Sequence, residues 1–160
     1  MTGFEKYLLP TKKGHLIGIG GVSMSPLAEV LNGMGLVITG SDMNESEKTA
    51  HLRSMGIDVS IGHSADNLSA DTDFVVRTAA VRDDNPEIIA AHERGIPVFE
   101  RTQAWGAIMR DYTNALCISG THGKTTTTSM STHILMAAHS DPTVMIGGTL
   151  PLLQAGHRVG

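Results

Sequence analysis

A chain of 160 residues can bury one good core, or one domain and part of a second. Its net charge of −4 and pI near 6.0 argue against a DNA or RNA partner, and its apolar runs fall far short of the ~20 residues of a membrane span. The single cysteine, Cys117, excludes an internal disulfide and fits a reducing cytoplasm, while the eight scattered histidines show no metal-ligand spacing.

The N-terminal stretch "MTGFEKYLLPTKKG" lacks the unbroken apolar core of a signal peptide. "HLIGIG" (15–20) predicts a buried strand. "SPLAEVLNGMG" (25–35) predicts a helix, with Leu27, Val30, Leu31 and Met34 at helical spacing, Ser25 as its cap, Pro26 in its first turn and Gly35 as its stop. "LVITGS" (36–41) is the next strand, and Glu45 to Met55 a helix ended by Gly56. "IDVSIG" (57–62) and "DFVVRTA" (73–79) are strands. "DNPEIIAAHERG" (84–95) is a helix capped by Asn85, with Pro86 at its first position. "IPVF" (96–99) is a fifth strand, before a helix over Thr102 to Arg110. A boundary is expected near "RDYTN" (110–114), then a strand "ALCIS" (115–119), a helix from Lys124 to Ala138 and a strand in "DPTVMIGG" (141–148). The tail "TLPLLQAGHRVG" shows no clear partner element. Strand–helix alternation implies an α/β fold, a Rossmann-like parallel sheet flanked by helices.

Two glycine loops carry the chemistry. Gly18, Gly20 and Gly21 stand between a strand and a helix, where free backbone N–H groups and the helix dipole suit a phosphate. The dinucleotide fingerprint is incomplete, because Ser23 takes its last glycine position, but Asp42 ends the second strand where a ribose-binding acid is expected. The second loop, "ISGTHGKTTTT" (118–128), matches the phosphate-loop pattern at Gly123-Lys124-Thr125; Gly120 supplies the turn and Ile118 occupies the usual first glycine. There Lys124 can reach the β- and γ-phosphates and Thr125 can place its hydroxyl on Mg²⁺. Thr125 and Thr126 cap and line the anion site, and Thr127 and Thr128 read as first-turn residues. Two such loops about a hundred residues apart imply two phosphate sites, on two domains.

"GTHGKTTT" resembles the ATP loop of the Mur ligases, the amide-forming enzymes of peptidoglycan precursor synthesis. "HLIGIGGVSMSPLAEVL", "GSD" (40–42), "IGHSADNL" (61–68) and "DNPEI" (84–88) are similar to the branch that joins L-alanine to UDP-N-acetylmuramate. Ser23 and "RTAA" (77–80) depart from the family's commoner forms, leaving Thr78 as a hydroxyl candidate. The resemblance implies a UDP-sugar-binding domain over residues 1–111 and the start of a P-loop ATPase domain over 112–160. It implies a diphosphate held by backbone amides of Gly20, Gly21, Val22, Ser23, Met24 and Ser25. Ser41, Asp42, His63, Thr78 and Asn85 become candidates for uridine and ribose. It implies an ATP site of Gly120, Thr121, His122, Gly123, Lys124, Thr125 and Thr126, with Mg²⁺ on Thr125 and Lys124 neutralising charge in phosphoryl transfer. The muramate carboxylate becomes an acyl phosphate that the amine of L-alanine attacks. His122 either touches a phosphate or the muramate carboxylate, or shapes the turn; His63 either contacts ligand or packs its loop; Asn85 either contacts ligand or only caps its helix.

Two other readings stand beside this one: an NAD-dependent oxidoreductase built on the first loop, and a non-catalytic UDP-sugar-binding module. The first leaves "GTHGKTT" without a purpose. After Thr126 the chain offers only Asp141 as a carboxylate, so these residues alone are expected to bind the UDP-sugar without forming an amide. The apolar face of the second part is expected to pack on the first, to self-associate or to stay mobile.

Overall fold

A computed structural model describes residues 3–160. It divides into two units, one ending at Thr113 and one spanning Asn114–Gly160.

The first unit is built on a parallel sheet. Its strands are β1 (Lys13–Ile17), β2 (Val37–Asp42), β3 (Asp58–Ile61), β4 (Phe74–Arg77) and β5 (Val98–Glu100), in the order β3-β2-β1-β4-β5. All four pairings are parallel, with Ile17 opposite Ser41 on one side and Arg77 on the other. The order reverses between β1 and β4, since β2 and β3 lie to one side of β1 and β4 and β5 to the other. The helices are α1 (Ser25–Gly33), α2 (Glu47–Ser54), α3 (Pro86–Glu93) and α4 (Arg101–Arg110).

The period of two along β4 assigns its residues to opposite faces. Phe74 and Val76 join a core with Leu16, Leu27, Leu31, Leu52, Ala104 and Ile108, which brings in α1, α2 and α4. Val75 joins a second core with Ile17, Ile88, Ala90 and Ala91, which brings in α3. A strand buried on both faces needs the near-continuous apolar run seen in "FVV". The N-terminal segment adds to the first core. Phe4 is fully buried, with its ring 5.0 Å from Phe74 and 5.1 Å from Phe99, both edge-on. Burying one such ring contributes about 1.5–3 kcal/mol.

Local signals explain most element ends. Asn85 accepts a hydrogen bond from the Glu87 N–H and starts α3, with Pro86 following. Ser46 and Thr49 form a reciprocal cap on α2. The first strand stops at Ile17, three residues before the end of "HLIGIG", because Gly18 turns away at φ +77°. α1 starts from Met24 with no side-chain cap, so Ser25 does not serve as one.

The second unit consists of α5 (Lys124–Ala137) and an antiparallel pair, β6 (Val144–Leu150) with β7 (Ala155–Arg158). Val144, Ile146 and Leu150 form its small core. Two expectations change here. "ALCIS" is not a strand: residues 115–119 are irregular, and among the described residues no strand pairs with the segment. The tail, in turn, supplies the strand that completes the hairpin. Among the described residues, no helix is long and apolar enough to cross a membrane.

Candidate functional site

The carboxyl ends of β1 to β4 open onto a cleft of about 800 Å³. Gly18, Gly21, Asp42, Met43, Gly62, His63, Thr78, Arg82 and Asn85 are among the residues lining it. In open α/β sheets ligands enter at this place, where strand order reverses.

The glycine loop after β1 is folded against the end of β2. The N–H groups of Gly18 and Ile19 both donate to the Ser41 carbonyl, at 2.8 and 2.9 Å. The Gly20 N–H donates to Asp42 Oδ2 at 2.9 Å, and a Cβ at position 20 would stand 3.0 Å from the same oxygen. Gly21, Met24 and Ser25 donate to Gly18 or Gly21 carbonyls at 3.0 Å. These bonds alter the expected anion cradle. Among the described residues, Val22 and Ser23 are the loop amides left without an acceptor in the chain, just ahead of the uncapped N-terminus of α1. Met24 and Ser25 are buried, so neither side chain reaches the cleft. Asp42 fastens the loop with one oxygen, while the other accepts from the Asn44 N–H at 3.3 Å.

Ser41 was expected at the ligand, but it is fully buried under the cleft. Its hydroxyl donates to Glu87 Oε2 at 2.6 Å and lies 3.0 Å from His63 Nδ1. His63 Nδ1 is also 3.2 Å from Glu87 Oε2. Asn67 Nδ2 donates to Glu87 Oε1 at 2.6 Å and to the Gly62 carbonyl at 3.0 Å. His15 Nε2 stands 3.6 Å from Oε1, an electrostatic contact too long for a hydrogen bond, and its Nδ1 meets Thr39 Oγ1 at 2.9 Å. Burial pushes the Glu87 carboxyl up, but His15, Ser41 and Asn67 together pull it further down, to below the ordinary glutamate range.

Glu87, Asn67, His15 and Thr39 were not singled out from sequence. The available signal was faint: Glu87 reads as a first-turn acid on α3, and His15 as a polar break in an apolar strand. The remaining candidates lie on the cleft wall. Thr78 Oγ1 accepts from the Ala80 N–H at 3.3 Å. The side-chain oxygen of Asn85 is spent on capping α3, and its Nδ2 has no partner among the described residues. Arg82, also missed, brings a cation to the rim and pairs with Asp84 at 3.3 Å.

The second glycine loop belongs to the other unit. Gly123 is the N-cap of α5 at φ +79°, a conformation that glycine adopts without cost, and no side chain caps the helix. Lys124 folds back over the loop, donating to the Gly120 carbonyl at 2.5 Å and the Thr121 carbonyl at 3.3 Å. Thr128 and Thr132 return their hydroxyls to carbonyls one turn earlier, at 2.9 and 2.8 Å. Thr121, His122, Thr125 and Thr126 are exposed around this helix start. A bare helix N-terminus with a lysine on the loop carbonyls matches the donor set a polyphosphate needs. Among the described residues, no group of three or more His, Cys, Asp or Glu side chains is placed to hold a metal.

Residues 13–113 match the family described as "Mur ligase family, catalytic domain". The UDP-N-acetylmuramate–L-alanine ligase of Clostridium novyi is 48% identical over 93% of this chain and 32% of its own length. The crystal structure of the UDP-N-acetylmuramate-alanine ligase MurC from Thermotoga maritima superposes with a TM-score of 0.84 at 39% identity, covering 92% of this chain and 35% of that one. The UDP-N-acetylmuramate:L-alanyl-gamma-D-glutamyl-meso-diaminopimelate ligase from Neisseria meningitides also reaches 0.84, at 30% identity, covering 93% of this chain and 47% of that one. The chain thus spans about a third of the length of the curated relatives it matches. With a family match across more than half of its residues and a shared five-stranded sheet, the chain belongs to the Mur ligase family.

Proposed function

We propose that these residues form part of an ATP-dependent ligase that joins L-alanine to the carboxylate of UDP-N-acetylmuramate. The first unit takes the UDP-sugar in the cleft, and the second takes the polyphosphate of ATP. What carries the reading is the coexistence of the two loops: a glycine loop that lines the switch-point cleft through Gly18 and Gly21 and leaves the Val22 and Ser23 amides without an acceptor, and an uncapped Gly-Lys-Thr helix start. An NAD-dependent oxidoreductase needs the first and has no use for the second.

The diphosphate accepts from the Val22 and Ser23 amides at the positive end of α1, with Arg82 at the rim. Asp42, His63, Thr78 and Asn85 surround the nucleoside. Gly120, Thr121, His122, Gly123, Lys124, Thr125 and Thr126 hold the ATP phosphates, and the Thr125 hydroxyl serves as a Mg²⁺ ligand. ATP supplies the phosphoryl group that activates the muramate carboxylate. Lys124 exchanges its loop carbonyls for phosphate oxygens, where its charge opposes the negative charge of phosphoryl transfer. L-Alanine is favoured as the incoming amine over the tripeptide named for the Neisseria enzyme, because identity is higher to the alanine ligases, at 39% and 48% against 30%. A reaction confined to the cytoplasm, where UDP-sugar and ATP are both present, fits this reading.

The test is ADP release and product mass for the complete ligase of which these residues form part, with UDP-N-acetylmuramate, ATP-Mg²⁺ and each amine in turn. ADP release dependent on L-alanine, with an alanyl amide product, is expected. Release with the tripeptide but not with alanine would overturn the assignment.

A further inference from the structure

We propose that Glu87 is a positioning residue that holds His63 with its proton on Nδ1, so that Nε2 faces the cleft as a hydrogen-bond acceptor. The partner would be a donor group of the bound nucleoside, an imide N–H or a ribose hydroxyl; this ligand half rests on the nucleotide reading.

Proton bookkeeping carries the assignment. An ionised carboxylate only accepts hydrogen bonds, and a hydroxyl has one proton to give. Ser41 gives its proton to Glu87 Oε2 at 2.6 Å. Toward His63, both Ser41 Oγ at 3.0 Å and Glu87 Oε2 at 3.2 Å are then acceptors. Nδ1 must therefore carry the proton, and in the neutral ring Nε2 is bare. The second carboxylate oxygen is kept from competing, because Asn67 donates to it at 2.6 Å. His63 lines the cleft with its side chain 14% exposed, and among the described residues Nε2 has no partner. The fully buried Glu87 cannot touch a ligand, so it acts only through the ring.

The substitution Glu87→Gln discriminates this from a merely structural role. Asn67 Nδ2 also donates to the Gly62 carbonyl, so it cannot turn its oxygen inward without setting two oxygens against each other. A glutamine must keep its oxygen toward Asn67 and turn its NH₂ toward Ser41 and His63. Nδ1 then meets a donor, and the proton moves to Nε2. Ser41→Ala, in contrast, leaves Glu87 Oε2 as the acceptor and keeps the proton on Nδ1.

The experiment is nitrogen NMR of the histidine-labelled chain at about pH 8, with UDP titrated by calorimetry. His63 is expected as the Nδ1–H tautomer in the native chain and in S41A, and as Nε2–H in E87Q, whose UDP affinity falls about tenfold or more. An Nε2–H ring in the native chain, or an unchanged tautomer in E87Q, would overturn the proposal; if E87Q does not fold, the native chain and S41A still decide. An Nδ1–H ring in a chain that binds no UDP would overturn the ligand half and the nucleotide reading, while supporting Glu87 as the group that sets His63.

Discussion

At the scale of single residues, the cleft depends on two carboxylates with different tasks. Asp42 is a brace: its Oδ2 accepts the Gly20 N–H at 2.9 Å and so shapes the loop that presents Val22 and Ser23. Asp42→Ala removes a charge-assisted bond worth about 1.5–3 kcal/mol. UDP-sugar affinity, measured by calorimetry, should fall by roughly ten- to a hundredfold. Glu87 is buried and ionised, its carboxyl held below the ordinary range despite the cost of burial. A carboxyl depressed in the folded state contributes stability that is complete above its unfolded value, ~4.3. That contribution is lost as pH falls through the folded value. Urea unfolding should therefore show the native chain losing stability in this acid window, with a shallower slope in Glu87→Gln. At neutral pH the substitution should cost about 1–3 kcal/mol, because it replaces the charged acceptor that Ser41, His63 and Asn67 share with a neutral amide. These residues also mark where sequence reading ended. Asp42 was legible because it sits at a strand end at a known distance from a glycine loop. Glu87 was not, because Ser41, His63 and Asn67 reach it from other elements, and only folding brings them together.

At the scale of elements, β1 and β2 approach so closely that one position admits no side chain. A Cβ on Gly40 would stand 2.6 Å from the Leu16 carbonyl oxygen and 2.5 Å from Ile19 Cδ1. The carbonyl belongs to the β1 backbone and cannot turn aside. Gly40→Ala should destabilise the first unit by about 1–3 kcal/mol through overpacking, read as a lower urea midpoint with an unchanged slope. The order of these elements was visible in the alternation of apolar runs with Gly and Pro punctuation, because those signals act within a few residues. The ends shifted where a single dihedral decides, as at Gly18. Two stretches of the second unit were misread. "ALCIS" has a strand's composition but no ladder to join, and the tail has a turn-like composition yet pairs with β6. Phe4 sits in a segment without periodicity, and its partners Phe74 and Phe99 lie far along the chain.

At the scale of the whole molecule, the two loops lie on separate units, so the two proposed nucleotide sites should be separable by mutation. The Gly-Lys-Thr loop stands in the sequence as a contiguous motif, whereas the switch-point cleft is assembled from the ends of four strands. Lys124→Ala removes a cation that lies on its own loop carbonyls and contributes nothing to the first unit's core. Calorimetry of native and K124A protein against UDP-N-acetylmuramate and against ATP-Mg²⁺ tests the account most directly. ATP affinity should fall by roughly ten- to a hundredfold, the equivalent of a charge-assisted hydrogen bond of ~1.5–3 kcal/mol, while UDP-sugar affinity stays the same. Equal losses for both ligands would mean that one site holds both nucleotides, and would contradict the assignment of one loop to each.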